Sequence, residues 1–140
     1  FDIDHFKNYN DNNGHEEGNV ALTAVSDLIK ATGRRGDIVA RYGGEEFVAL
    51  LYGATRAEAE AFGETVRQTV EATSLPGGSR QPGGRLTISA GVATFPWDAQ
   101  SEEELIKAAD DNLYKAKEGG RNRVVAAGTA APAGTTPRLS

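Results

Sequence analysis

The sequence predicts an α/β (α+β) fold, one mixed sheet with helices packed on it, related to the ferredoxin-like plan. Three observations carry this reading. Predicted elements run strand, helix, two-strand hairpin, helix, strand, helix, strand, so helices return the chain between strands. The 140 residues are 39% hydrophobic, enough for one compact core and too few for two. No internal repeat is apparent, which sets solenoids and propellers aside.

Each element has a local reason. "FDIDHF" reads as the end of a strand entering a loop, and its abrupt start raises the expectation that the natural protein continues upstream of Phe1. From Gly18 to Ala31, the residues Val20, Ala24, Val25, Leu28 and Ile29 recur at helical spacing, with Gly33 as the stop. "DIVARY" and "EFVALLY" flank Gly43-Gly44, the pattern of a tight two-residue hairpin whose primed turn needs positive φ. Thr55 and Glu58 form a capping box, and Ala59, Phe62, Val66 and Val70 continue a helical face to about Thr73. The glycine-rich stretch 77–84 reads as a mobile loop, and "RLTISAGVATF" after it as a β-branched strand. Ser101 and Glu104 make a second capping box, opening a helix with Leu105, Ala109, Leu113 and Ala116 inward and Gly119-Gly120 as its end. "NRVVAA" closes the fold as a strand. The domain therefore spans 1–126, and the small, Pro-containing stretch 127–140 reads as a disordered tail.

Composition excludes several classes. A net charge of -5 is wrong for a general nucleic-acid binder, which needs basic surface to displace counterions, so phosphate binding has to be local. Zero cysteines rule out disulfides and thiolate metal sites and fit a reducing compartment. No apolar run approaches the roughly 20 residues that cross a bilayer, and no secretory signal opens the chain. It reads as soluble, without membrane contact. The glycines at 77–84 lack the Gly-Lys-Ser/Thr ending of a phosphate loop, and His5 and His15 lack metalloprotease spacing.

Three clusters can carry chemistry. Glu45 and Glu46 sit at the hairpin tip, where strand alternation sends them to opposite faces unless the backbone bulges; a solvated turn explains them equally well. Asp2 and Asp4, two apart, share one side of a strand end beside Lys7 and the polar run Asn8 to Asn13. Asp2 with Glu45 is a candidate Mg²⁺ pair, since that ion takes a few hard oxygens and keeps waters or phosphates; loop-forming Asp and Asn is the plain alternative. Lys117 falls in a last helical turn and Arg121 just past it, where cations suit the helix end and could equally bind a triphosphate. Arg34 and Asp37, before the hairpin, read on their own as an exposed ion pair.

Together, "FDIDHFKNYND", "GHEEGN", "RRGDIVARYGGEEF", "SAGVA" and "ADDNLYKAKEGGRNRV" resemble the GGDEF family of diguanylate cyclases in its GGEEF form, in family order over residues 1 to about 125. The family's upstream helix with its Leu-Thr-Gly-Leu turn is missing, so the domain is expected to be N-terminally truncated. The resemblance implies a palm-like sheet similar to that of nucleotidyl cyclases and polymerases. It also implies a two-fold homodimer in which each domain brings one GTP, forming cyclic di-GMP and two pyrophosphates. Asp2, the Ile3 carbonyl and Glu45 would hold Mg²⁺ or Mn²⁺, with Glu46 a second acidic group at the catalytic centre. Gly43 and Gly44 would let the backbone approach the nucleotide. Amides of His5, Phe6 and Lys7 would cradle the β- and γ-phosphates, with Lys117 and Arg121 opposite. Arg34 and Asp37 match the family's inhibitory site for cyclic di-GMP, and Arg67 is a candidate secondary arginine. An upstream sensory or regulatory domain and a bacterial cytoplasmic setting are implied by the same resemblance.

One position departs. Asn10 matches a guanine-reading position, but Asn19 stands where the family writes aspartate. An amide offers guanine one acceptor and one donor against two donors, a mismatch of about 1–3 kcal/mol, whereas adenine's acceptor and donor suit it. Two alternatives follow: altered base selectivity yielding cyclic AMP-GMP, or a catalytically weak module that binds GTP or cyclic di-GMP and regulates.

Overall fold

A computed structural model describes residues 1–127 of the 140. The elements are β1 (Asp2–Ile3), α1 (Phe6–Thr32), β2 (Ile38–Arg41), β3 (Phe47–Leu50), α2 (Arg56–Ala72), β4 (Ile88–Val92), α3 (Glu102–Glu118) and β5 (Val124–Ala126), with two 3₁₀ turns at Gly78–Arg80 and Pro82–Gly84. The order is the expected one. Apart from Ala127, the expected disordered tail lies outside the described residues.

β1 lies antiparallel to β4, which runs parallel to β5, while β2 and β3 form the hairpin. The hairpin joins β1 on its other side: Asp2 bridges Glu46, Ile3 N–H donates to Glu45 O (3.2 Å) and Phe47 N–H to Phe1 O (2.8 Å). Spatially the strands read β2-β3-β1-β4-β5, a mixed ferredoxin-related order with β1 at the centre. The core forms between this sheet, α1 and α2, from Ile3, Tyr9, Val25, Ile29, Phe47, Val66, Val70 and Ile88 among others. On β4, Gly91 has a steric purpose, since a Cβ there would sit 2.0 Å from Ala109 O and 2.2 Å from Leu113 N, so only glycine lets α3 lie this close.

Helix α2 meets the sequence reading closely. Thr55 and Glu58 make a full capping box, with Val66 and Val70 buried. Four expectations are corrected. Helix α1 starts at Phe6, twelve residues before Gly18, and is broken at Gly14 (φ 88, ψ 163). Asp11, Asn12, His15 and Glu16 face solvent, while Phe6 and Tyr9 bury one side and stack at 6.2 Å. Its inner stripe is Ala21, Leu22, Val25 and Ile29, and Val20 is exposed.

The hairpin is not closed by a two-residue primed turn. Neither Gly43 nor Gly44 has positive φ. Tyr42 N–H (2.8 Å) and Gly43 N–H (3.4 Å) both donate to Glu46 O, and the Arg41 guanidinium binds the carbonyls of Gly43 (3.2 Å) and Gly44 (2.8 Å). Residues 42–46 thus form a longer, side-chain-stapled tip. Residues 77–84 are not a mobile loop, since Gly78 and Gln81 are buried and the segment is tied to α1. Finally, the Ser101 side chain caps Glu104 N, but Glu104 reaches back to Gln100 N (2.8 Å), one residue earlier than a capping box requires.

Candidate functional site

The end of β1, the hairpin tip and the end of α3 converge. Asp2 and Asp4 share a strand face, and both meet Lys117 from the last turn of α3: its Nζ lies 3.0 Å from Asp2 Oδ1 and 3.4 Å from Asp4 Oδ1. The two aspartates nonetheless differ. Asp4, 1% exposed, accepts from Thr87 Oγ1 (2.8 Å), Ser89 Oγ (2.7 Å) and Asn122 N–H (2.9 Å). Its acceptor capacity is committed to holding β4 and the α3–β5 turn. Asp2 Oδ1 is buried without any hydrogen-bond partner, because the Lys117 contact is an ion pair without bonding geometry.

Glu45 and Glu46 are half-buried beside Asp2. Burial first, then the Asp2 charge, pushes the Glu45 carboxyl above the usual carboxylate range, and Lys117 only partly offsets this. Glu46 is likewise pushed up, first by burial, then by Asp2 and Asp110. Both glutamates therefore feel the same aspartate, which the long tip permits and strict strand alternation would not.

These groups fit a hard divalent cation. An unpartnered buried carboxylate oxygen beside two glutamates crowded by its charge is a donor set whose negative charge a hard divalent cation would offset. Ile3 N–H points to Glu45 O, so in an antiparallel ladder the Ile3 carbonyl opens toward the hairpin as well. Among the described residues no cluster of three or more His, Cys, Asp or Glu side chains is arranged to hold a metal, so the fitting set is two carboxylates and a carbonyl.

The start of α1 lies next to this cluster. His5 precedes the helix in the left-handed region (φ 53, ψ 38) and offers no side-chain cap, so the first amides, those of Phe6 and Lys7 among them, have no intrahelical acceptor. The Lys7 side chain pairs with Asp11 in solvent (3.2 Å). Past α3, Arg121 and Asn122 also have positive φ (64 and 46), a turn held by Arg121 N–H to Ala116 O (3.0 Å).

The break at Gly14 brings Asn10 against Gly18. In a straight helix, positions 10 and 18 would be about 12 Å apart, yet a Cβ on Gly18 would lie 1.8 Å from Asn10 Oδ1. That oxygen is buried and unpartnered, and Asn19, the residue after Gly18, is exposed.

Arg34 and Asp37 form a separate station. Asp37 Oδ2 accepts from Arg34 N–H (2.8 Å), and the Arg34 guanidinium lies 3.6 Å from Asp37 and 3.8 Å from Glu58. Shallow cavities of about 350 and 360 Å³ flank the pair, one toward Lys30 and Val39, the other toward Leu51 and Phe62. Arg67 is not part of it. Its guanidinium is held by Glu64, Glu71 and Asn122 Oδ1 (3.0 Å), bracing the turn that donates to Asp4.

Sequence reasoning missed Arg41, Thr87, Ser89, Gln81 and Asn122. Thr87 and Ser89 had a readable signal: two hydroxyls at period two on a strand facing two aspartates at period two, in the register Asp2↔Ser89. Arg41 reaches only two and three residues ahead, to carbonyls that carry no side-chain signal, while Gln81 and Asn122 act across long sequence distances and leave no local pattern.

The profile described as "Diguanylate cyclase, GGDEF domain" matches residues 1–123. Diguanylate cyclase A of Treponema denticola is 41% identical over 123 residues, covering 88% of this chain and 33% of that protein. Diguanylate cyclase DgcM of Escherichia coli K12 is 43% identical over 126 residues, covering 90% and 29%. The chain thus spans about a third of these relatives. Among solved structures, the active GGEEF domain of a diguanylate cyclase from Vibrio cholerae superposes with a TM-score of 0.80 at 28% identity, covering 89% of this chain and 78% of that one. The GGDEF domain of DgcB from Caulobacter crescentus, solved with c-di-GMP, gives 0.78 at 34% identity, covering 89% and 73%.

Proposed function

The chain belongs to the GGDEF family, and from that premise we propose that it condenses two GTP into cyclic di-GMP. The observation that carries this is the convergence of Asp2, Glu45 and Lys117 beside the uncapped start of α1. In each half-reaction the 3′-hydroxyl of one nucleotide attacks the α-phosphorus of the other. A P–O bond forms, the bond to pyrophosphate breaks and the hydroxyl proton leaves. Two such steps close the ring. One chain presents one hairpin and one triphosphate cradle, so two chains face each other as a dimer, brought together by segments outside this domain.

Asp2, Glu45 and the Ile3 carbonyl would hold Mg²⁺ (or Mn²⁺), which neutralises phosphate charge and favours the alkoxide of the attacking hydroxyl. The amides of His5, Phe6 and Lys7 bind the β- and γ-phosphates, Lys117 exchanges its aspartate contacts for phosphate oxygens, and Arg121 approaches from the α3–β5 turn. Gly43 and Gly44 leave the hairpin tip bare where the nucleotide passes. Glu46 adds an acidic group beside the reacting hydroxyl. Asn10 and Asn19 face the base. Arg34 and Asp37 bind the cyclic product and restrain the enzyme. The setting consistent with this is bacterial signalling.

Chromatography of products from a dimeric sample, incubated with Mg²⁺ and equimolar GTP and ATP, tests the reading. Cyclic di-GMP alone is expected. Because Asn10 Oδ1 is buried and unpartnered and an amide, Asn19, stands where the family has aspartate, a second reading is relaxed base selectivity, and its mark would be cyclic AMP-GMP. No product at all would move the assignment to a regulatory nucleotide-binding module.

A further inference from the structure

Resting on the nucleotide-binding reading above, we propose that Gln81 is a positioning residue for the triphosphate. Its side-chain amide holds the β1–α1 turn in the shape that presents the amides of His5, Phe6 and Lys7. Gln81 is 5% exposed, between the two 3₁₀ turns. Its Nε2 donates to the carbonyls of Asp4 (3.3 Å) and His5 (3.1 Å), and its Oε1 accepts from Asn8 Nδ2 (2.8 Å). The amide orientation follows from the partners, since the end facing two carbonyls has to be the donor.

The turn it grips needs holding. His5 adopts φ 53, ψ 38 without a side-chain cap, and a non-glycine residue stays in the left-handed region only where its surroundings over-determine it. One side-chain nitrogen fastened to two consecutive carbonyls supplies that constraint. The strut is itself braced: Gln81 N–H donates to Gly78 O (3.0 Å), Tyr9 Oη–H to Pro76 O (2.6 Å) and Arg80 to Asn12 O (3.1 Å). Segment 76–84 therefore locks onto the first turns of α1, and Gln81 is its point of contact with the phosphate-facing backbone.

Gln81→Glu is the test. It is isosteric and keeps an acceptor for Asn8, but turns an oxygen toward two carbonyl oxygens. Calorimetry on the 140-residue chain would compare a nonhydrolysable GTP analogue with GMP, which lacks the β- and γ-phosphates. The expected result is a loss of about tenfold or more for the triphosphate, with GMP changed by less than about twofold. Asn8→Ala, which frees only the orienting end of the amide, should show a smaller loss with the same selectivity and covers the case in which Gln81→Glu fails to fold. Equal losses for both ligands, or none, overturn the proposal. A wild-type chain that binds GMP as tightly as the triphosphate overturns the phosphate cradle itself, and the strut with it.

Discussion

Asp2 and Asp4 are two residues apart on one strand face, and removing their charges should have opposite effects on stability. Asp4→Asn keeps the shape but replaces a carboxylate that receives three bonds of 2.9 Å or shorter, from Thr87, Ser89 and Asn122. Each bond to a charged group is worth about 1 kcal/mol more than its neutral counterpart, so the loss should be about 3 kcal/mol. The Ser89 hydroxyl can turn to accept from the new amide, while the Asn122 N–H cannot turn, so the amide oxygen has to stay on that side. Asp2→Asn removes a charge that crowds Glu45 and Glu46 and has an unpartnered oxygen. Its change should lie between about zero and 1 kcal/mol of stabilisation in metal-free buffer, because the lost Lys117 pair offsets part of the relief. Urea unfolding at neutral pH reads both. With a slope of about 1–3 kcal/mol per molar urea, Asp4→Asn moves the midpoint down by about 1–3 M. If Asp2→Asn proved the more destabilising of the two, the division into a structural and a ligand-facing aspartate would be wrong.

The raised carboxyls give a pH signature. Glu45 and Glu46 bind protons more tightly folded than unfolded, so they destabilise increasingly as pH climbs from about their ordinary 4.5 through their folded values. The metal-free melting temperature should rise between about pH 7 and about pH 5, and Mg²⁺ should reverse that slope; a flat profile contradicts the clustering. Glu64 has the opposite sign, its pKa being lowered by Arg67, and its contribution is lost only below the ordinary carboxylate range. Gly91→Ala would force a Cβ against Ala109 and Leu113 backbone and should cost about 3 kcal/mol or more by overpacking, visible as a lowered melting temperature. Thr55→Ala removes the α2 cap and should cost about 1 kcal/mol in urea unfolding. Arg34→Ala should abolish product inhibition in a progress-curve assay while costing no more than about 1 kcal/mol of stability, since the Arg34 guanidinium is half exposed although Asp37 beneath it is nearly buried.

Local physics made much of this legible in advance. A hydroxyl three residues before a carboxylate announces the start of α2, and Val66 and Val70 at helical spacing announce its buried face. Asp2, Glu45, Lys117 and Arg121 stood out by residue type and by the motifs they share with a known family, while the meeting of Asp2 with the hairpin and with Lys117 depends on strand order, which the sequence does not contain. Where the reading erred, a local rule had a tertiary competitor. The run Asn8 to Asn13 has poor helix propensity but is helical, because Phe6 and Tyr9 are buried on one side, and Asn12 and Asn13 donate back to Asn8 O and Tyr9 O (both 2.9 Å). Two glycines suggested a primed turn, yet the Arg41 side chain holds their carbonyls and neither needs positive φ.

What the amino-acid order determined by itself was the succession of elements, the caps and the set of residues fit for nucleotide chemistry. The elements and caps depend on neighbours within one or two helical turns, and the residue set on motifs spread along the whole chain. Only the tertiary structure decided which of two identical aspartates is saturated with donors and which keeps an unpartnered oxygen, which arginine braces a turn, and that a glutamine 76 residues from His5 grips its carbonyl. Those outcomes turn on which donors the sheet register and helix packing bring within about 3 Å, distances that sequence separation does not contain.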